Sequence, residues 1–333
     1  MTASAPRTLV QLGRPARVPG PTVDVSIDGR SAQVQSGTTI LEACRQMRIE
    51  IPTLCYLETL RPVNACRLCV VELEGARTLV PSCSRAVEDG MRVQTSSSRV
   101  SHTRKLVLEM LASSVDLSTT PGMPALLEEY HCEPERFGPP APESAAGASD
   151  ASVAGHHAPP DPAFAATIAQ PPLVDNELYV RDYSKCVLCY KCVEACGADH
   201  QNSFAIAVAG RGFDARISTE FSVQLPGSAC VYCGNCIAVC PTGALMAKSE
   251  FDLRAADRWN EPRQRSTDTI CPYCGVGCTL TLHVQDGEIV NVTSPLDNGI
   301  TLGNLCIKGR FGWRFVQRLA DPGAPPAADG RRE

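Results

Sequence analysis

The sequence predicts an α+β protein strung together from small units around cysteine loops, and three observations predict it. Sixteen of the eighteen cysteines in the 333 residues fall into four groups of four. Short apolar runs flank Asp28-Gly29, Glu74-Gly75 and Asp286-Gly287, the signature of two-residue β-hairpin turns. Aromatic residues are only 5% of the chain, too few for large conventional cores, so something besides side-chain packing should hold the units together.

Residues 21–97 read as the first unit. Val23–Ile27 and Ala32–Val34 flank Asp28-Gly29, and Thr39-Ile40-Leu41-Glu42 is a capping box opening a short helix that carries Cys44. A cysteine loop follows, then Cys69–Leu73 and Arg77–Val80 flank the second turn. Residues 98–132 read as a helical connector: Val100–Ala112 is a helix with Val107, Met110 and Leu111 on one face. Residues 133–174 read as a disordered linker, because proline and alanine dominate it without apolar periodicity. His156-His157 lies in that stretch and reads as solvated. Residues 175–255 carry an internal repeat of two cysteine runs, and 268–318 form a last unit with a hairpin at Asp286-Gly287. The tail from Ala320 to Glu333 should fray.

The cysteine spacings carry the chemistry. They run Cys55-x10-Cys66-x2-Cys69-x13-Cys83, Cys186-x2-Cys189-x2-Cys192-x3-Cys196, Cys230-x2-Cys233-x2-Cys236-x3-Cys240-Pro241, and Cys271-x2-Cys274-x3-Cys278-x27-Cys306. The second and third groups match the run that binds [4Fe-4S] clusters in two-cluster ferredoxins. On that pattern the fourth cysteine of each run binds the other cluster, so Cys186, Cys189, Cys192 and Cys240 form one set, and Cys230, Cys233, Cys236 and Cys196 the other. Zinc is the stronger rival, since Cys-x2-Cys pairs also build zinc sites. Yet three ligands on one short loop suit the adjacent irons of a cubane better than two separated hooks. A disulfide scaffold needs a small secreted chain, and Met1–Gly20 has no apolar signal segment. So many free thiols point to a reducing compartment, the cytoplasm. Cys44 reads as a buried core thiol and Cys132 as a free, partly exposed one.

Other functions find little support. The formal net charge is −5, with lysine and arginine spread along the chain, so nucleic acid is not an expected partner. No apolar run reaches the length of a membrane span. No strand-following Gly-x-Gly-x-x-Gly, Walker motif or catalytic triad stands clear of the cysteines, so the chain by itself is not expected to turn over substrate.

The order hairpin, helix, cysteine loop, hairpin in the first unit resembles the β-grasp [2Fe-2S] ferredoxin domain, in the version found in respiratory NADH dehydrogenase and in NAD-linked hydrogenases and formate dehydrogenases. Asp182-Tyr183-Ser184-Lys185-Cys186 through Gly210-Arg211-Gly212-Phe213-Asp214, Cys271-Pro272-Tyr273-Cys274-Gly275-Val276-Gly277-Cys278, and Cys306-Ile307-Lys308-Gly309-Arg310-Phe311-Gly312 resemble the N-terminal part of the catalytic subunit of molybdenum- or tungsten-dependent, NAD-linked formate dehydrogenases. The resemblance implies a two-cluster [4Fe-4S] ferredoxin domain, a small β-rich [4Fe-4S] domain of molybdopterin oxidoreductases, and three [4Fe-4S] clusters beside the [2Fe-2S] cluster of the first group. It implies that Cys271, Cys274, Cys278 and Cys306 hold the cluster nearest the pterin, with Lys308 between the two. The stretch Ser113–Ser118 lacks the histidine and cysteines that bind a further cluster in many relatives, so none is expected there. The family's pterin domains are not in this sequence. The implied function is an electron-transfer subunit between a molybdopterin-binding (formate) dehydrogenase partner and a flavin/NAD-binding partner. The alternative is a truncated or split catalytic subunit of such an enzyme.

Overall fold

The computed structural model describes residues 20–137, 172–211 and 215–320. The expected linker lies mostly outside them, as do His156-His157 and the frayed tail.

Strands β1 (Thr22–Ile27) and β2 (Arg30–Gln35) pair antiparallel, with Ile27 opposite Arg30 across Asp28-Gly29. Both turn residues have positive φ, +50° and +76°, as a type I′ turn requires. Helix α1 (Ile40–Gln46) opens on the expected capping box: the Thr39 hydroxyl accepts from the Glu42 amide at 3.2 Å, and the Glu42 carboxylate accepts from the Thr39 amide at 2.9 Å. β3 (Val70–Leu73), β4 (Val80–Pro81) and β5 (Met91–Gln94) complete a sheet ordered β2-β1-β5-β3-β4. The second hairpin is narrower than Arg77–Val80 predicts, because β3 changes partners. Its Val70 and Val71 pair with β4, but Glu72 and Leu73 pair with β5. β5, which local signals do not announce, runs parallel to β1 and closes the sheet over α1. Ile27, Ile40, Leu41, Cys44, Val71 and Val93 fill the space between.

Helix α2 (Ser98–Ser114) is capped by the Ser97 hydroxyl, which accepts from Val100 N–H at 3.3 Å. The residues it buries most deeply include Val100, Arg104 and Leu108; of the expected face Val107 and Leu111 pack half-buried against the core, while Met110 is 54% exposed. The reason is polar. Arg104 donates to the carbonyls of Leu68 and Val70 at 3.0 and 2.9 Å, and this demand for a buried donor turns the helix. α3 (Met123–Glu129) follows.

At the end of the expected linker, Leu173 exchanges backbone hydrogen bonds with Arg181. β6 (Tyr179–Arg181) pairs with β9 (Leu245–Ala247), so the repeat region is closed by its own ends. Between them lie α4 (Lys191–Cys196), the small hairpin of β7 (Ala207–Ala209) and β8 (Arg216–Ser218), and α5 (Asn235–Ala238). After α6 (Lys248–Ala255), the last unit is an antiparallel sheet of β10 (Arg265–Ile270), β11 (Thr279–Gln285) and β12 (Glu288–Thr293). The Asp286-Gly287 turn joins β11 to β12 as expected, whereas β10 is a strand that the apolar pattern does not announce. Short helices α7 (Ile307–Phe311) and α8 (Trp313–Ala320) close the described chain. No described helix is long and apolar enough to cross a membrane.

The units are packed on one another. A single core joins Leu54, Leu68 and Leu108 to Tyr179, Tyr183, Cys192 and Phe311. The stretch between Cys55 and Cys66 docks on the repeat region. Leu57 and Leu60 pack on Ala195 and Val239, the Arg61 amide donates to Asp199 at 2.6 Å, and a His200 ring nitrogen lies 3.1 Å from the Thr59 carbonyl.

Candidate metal centres

The structure gathers the sixteen grouped cysteines into four sets of four, two of which exchange their fourth member. In the first unit, Cys55 and Cys66 share one hydrogen bond and Cys69 and Cys83 another. The sharing holds Cys66 and Cys69 below the ordinary thiol range and, with burial, drives Cys55 and Cys83 up. The loop supports the ionised form: the Leu68 amide donates to the Cys66 sulfur, and the Cys66 amide to the Cys55 sulfur at 3.4 Å. Asn64 and Arg67, flanking Cys66, take the left-handed conformation with φ of +61° and +59°.

In the repeat region the fourth cysteine of each run sits with the other run's first three. Cys186, Cys189, Cys192 and Cys240 line one cavity, and Cys230, Cys233, Cys236 and Cys196 line a second. The two loops share one geometry. Leu188 and Tyr190 have φ of +49° and +62°, and the equivalent Tyr232 and Gly234 have +56° and +70°. A non-glycine residue held there costs about 1 kcal/mol or more. The alternation turns successive amides inward, an anion-binding concavity. Leu188 donates to Cys186, Lys191 to Cys189 and Asn235 to Cys233, and the Tyr232 amide lies 3.4 Å from the Cys230 sulfur.

Burial pushes these thiols up, Cys186 to about 12 and Cys189 to about 11, with Cys192 and Cys236 raised for the same reason. Buried sulfurs aimed into one cavity ionise only around a compensating cation, and the inward amides show that the backbone is set for anions. Among the described residues no three histidine, cysteine, aspartate or glutamate side chains close on a point fit for a single metal ion. A cluster spreads its thiolates over different irons, which suits three ligands carried on one short loop.

The fourth set is more open. The Cys271 amide donates to the Cys278 carbonyl at 2.8 Å, and Cys278 feels the charges of Cys271, Cys274 and Cys306. Cys274 and Cys306 are exposed, as are Ile270, Val276 and Ile307 around them. Lys308 is exposed as well, on the first turn after Cys306.

The sets form a row. The charge of Cys66 is felt at Cys189, that of Cys236 at Cys192, and those of Cys233, Cys236 and Cys306 together at Arg310. Sequence reasoning missed three polar residues along it. Arg104 holds the carbonyls on either side of Cys69, the Tyr179 hydroxyl meets the Cys230 sulfur, and Arg310 joins the last two sets. None has a spacing signal. Of the remaining cysteines, Cys44 is fully buried on α1 with its thiol pushed up to about 12 by burial, helped by Asp28. Cys132 is half-buried, its sulfur 3.9 Å from the Lys105 carbonyl.

A fold of three small cysteine-lined units packed in a row defines an iron–sulfur electron-transfer module. Residues 20–98 match the family model of the 2Fe-2S iron-sulfur cluster binding domain, 185–244 that of the 4Fe-4S dicluster domain, and 264–318 that of the molybdopterin oxidoreductase Fe4S4 domain. The chain is related to a subunit of an NADH-quinone oxidoreductase of Rhizobium meliloti, 33% identical over 89% of this chain and 32% of that protein. It is similarly related to the alpha subunit of an NADPH-Fe(3+) oxidoreductase of Geobacter sulfurreducens, 34% identical over 90% and 32%. A putative formate dehydrogenase of Staphylococcus haemolyticus is 25% identical over 90% and 32%. The chain thus spans about a third of the length of these relatives. In fold it resembles a chain of an NAD+-reducing [NiFe]-hydrogenase, with a TM-score of 0.54 and 24% identity over 68% of this chain and 87% of that one.

Proposed function

We propose that the chain carries one [2Fe-2S] cluster on Cys55, Cys66, Cys69 and Cys83 and three [4Fe-4S] clusters. These are held by Cys186, Cys189, Cys192 and Cys240, by Cys230, Cys233, Cys236 and Cys196, and by Cys271, Cys274, Cys278 and Cys306. Each such cluster takes and gives single electrons. The chain supplies thiolates, inward amides and burial, which set where and at what potential that happens. We further propose that it serves a molybdopterin-binding formate dehydrogenase unit at the Cys306 end and a flavin/NAD-binding partner at the Cys66 end, in the cytoplasm.

The observation that carries this reading is the row of four sets, which ends at exposed Cys274 and Cys306 on one side and at Cys66, between exposed residues, on the other. Ala65 and Arg67 are exposed beside Cys66, and Cys274 and Cys306 are exposed at the other end within an apolar fringe. The parallel pairing of β1 with β5 over α1 supports a β-grasp reading of 21–97. The relative named for formate favours that substrate, and exposed Lys308 suits a place between the last cluster and a pterin.

The named relatives are about three times as long as this chain, and a second reading of the same chemistry places the pterin unit in the same gene product. A reading frame with pterin-domain sequence beyond Glu333 in the coding DNA supports it, and its lack there removes it.

The test is an anaerobic affinity pull-down of the tagged chain from its native host. Expected are iron and acid-labile sulfide in equal amounts, about 14 each per chain for this cluster set, molybdenum or tungsten, and formate-dependent dye reduction. Iron without either of the last two overturns the formate assignment and leaves a ferredoxin-like carrier.

A further inference from the structure

Arg310 touches a ligand of two different cysteine sets. Its backbone amide, one turn into α7, donates to the Cys306 carbonyl at 3.0 Å. Its side chain reaches into the neighbouring unit, where Nε donates to the Cys233 carbonyl at 2.9 Å and Nη2 to Asn235 Oδ1 at 3.1 Å. Nη1 lies 3.4 Å from the Val292 carbonyl of its own unit. Asn235 answers by accepting from the Leu305 amide at 3.0 Å, which anchors the segment leading to Cys306.

The guanidinium is 3% exposed, and among the described residues it forms no ion pair with a carboxylate. Burying an unpaired cation is costly, so anionic neighbours must compensate, and the thiolates of Cys233, Cys236 and Cys306 are the charges it feels. A guanidinium keeps its charge throughout the range in which proteins fold. The fit is tight: a Cβ at Gly234 would stand 2.3 Å from Arg310 Cδ. Tyr190 holds the equivalent position in the other loop at φ +62°, so it is the passage of this side chain, on top of the φ of +70°, that calls for glycine at Gly234.

We propose that Arg310 is a positioning residue shared by two clusters, which fixes the spacing of the Cys230–Cys236 and Cys271–Cys306 sites and raises both reduction potentials with one charge. The proposal rests on the cluster reading above. Adding an electron to either site adds a negative charge without a proton, and a fixed cation between the sites stabilises that charge on either side. It also weakens the repulsion between the two reduced sites.

The experiment is an EPR-monitored dithionite titration of the full chain, prepared anaerobically, as wild type, R310Q and R310K. For R310Q with undiminished iron and sulfide, the expected result is a fall at both adjoining [4Fe-4S] sites. Each reduction constant should drop about tenfold, which is 59 mV for a one-electron couple, with the Cys66 and Cys186 sites unmoved. A shift at one site alone, or at neither, overturns the proposal. Should R310Q fail to retain iron, R310K decides, because it keeps the charge without the planar fork. Both potentials are expected to stay at wild-type values, and a matched fall at both removes charge as the cause. A wild-type chain without these clusters sinks the cluster reading itself, and is seen before any variant is made.

Discussion

The Tyr179 hydroxyl lies 2.8 Å from the Cys230 sulfur. Tyr179 is buried, paired through β6 with Ala247, and stacked on Phe311 of the last unit with ring centroids 6.3 Å apart. A hydroxyl held this way donates to a thiolate and strengthens its grip on negative charge. Tyr179→Phe keeps the stacking and removes the donor. The expected outcome is a lower midpoint potential for the site containing Cys230, of up to about 59 mV, a tenfold change for one electron. The other sites should remain in place in the same EPR titration.

The exchange of fourth ligands separates two otherwise similar cysteines. Cys196→Ser is expected to alter or remove the signal of the site holding Cys230, Cys233 and Cys236, although Cys196 follows Cys192 in sequence. Cys240→Ser is expected to act on the site holding Cys186, Cys189 and Cys192. The reverse result, each substitution acting on its own run, would refute the crossed assignment.

Two glycines with positive φ give a controlled comparison. Gly287 has φ +88° and open space around it, whereas Gly234 has φ +70° and the Arg310 side chain in the way. Gly287→Ala should cost about 1–2 kcal/mol, the left-handed penalty alone. Gly234→Ala should cost clearly more and lower the apparent thermal midpoint further. Equal losses would mean that the Arg310 contact yields without cost.

Buried Glu109 gives the chain an acid-sensitive joint. Burial alone would raise its carboxyl, yet the Glu133 amide at 3.0 Å, Arg136 at 3.1 Å and nearby Lys105 hold it below the usual carboxylate range. A depressed carboxyl stabilises the fold above its unfolded value and loses that contribution as pH falls through its folded value. Protection of the Glu133–Arg136 amides, taken relative to the intrinsic exchange rate at each pH, is therefore expected to fall as pH drops below the ordinary carboxylate range. Glu109→Gln should show faster exchange already at neutral pH and a weaker acid response. An unchanged pH profile in that variant would place the joint elsewhere.

The features legible in the sequence are those set by local rules. Turns at Asp28-Gly29 and Asp286-Gly287, the capping box at Thr39 and Glu42, and the cysteine spacings each depend on a few adjacent residues. What stayed hidden depends on distant partners. β5 is short and is defined by a parallel partner more than sixty residues away. β10 is exposed along its length, without the apolar alternation that marks a half-buried strand. Arg104 and Arg310 look like surface charges until the carbonyls that need them are brought alongside, and Met110 is exposed because Arg104 claims the inner face.

The ten residues between Cys55 and Cys66 do more than separate two ligands. They are the surface by which the first unit sits on the second, through Leu57, Leu60 and the Arg61–Asp199 contact. The fastener between the units and the jaws of the first metal site are thus one loop, gripped at both ends by thiols. On the cluster reading proposed above, filling that site would stiffen the fastener and losing the metal would slacken it, so loading and docking of the first unit would be coupled.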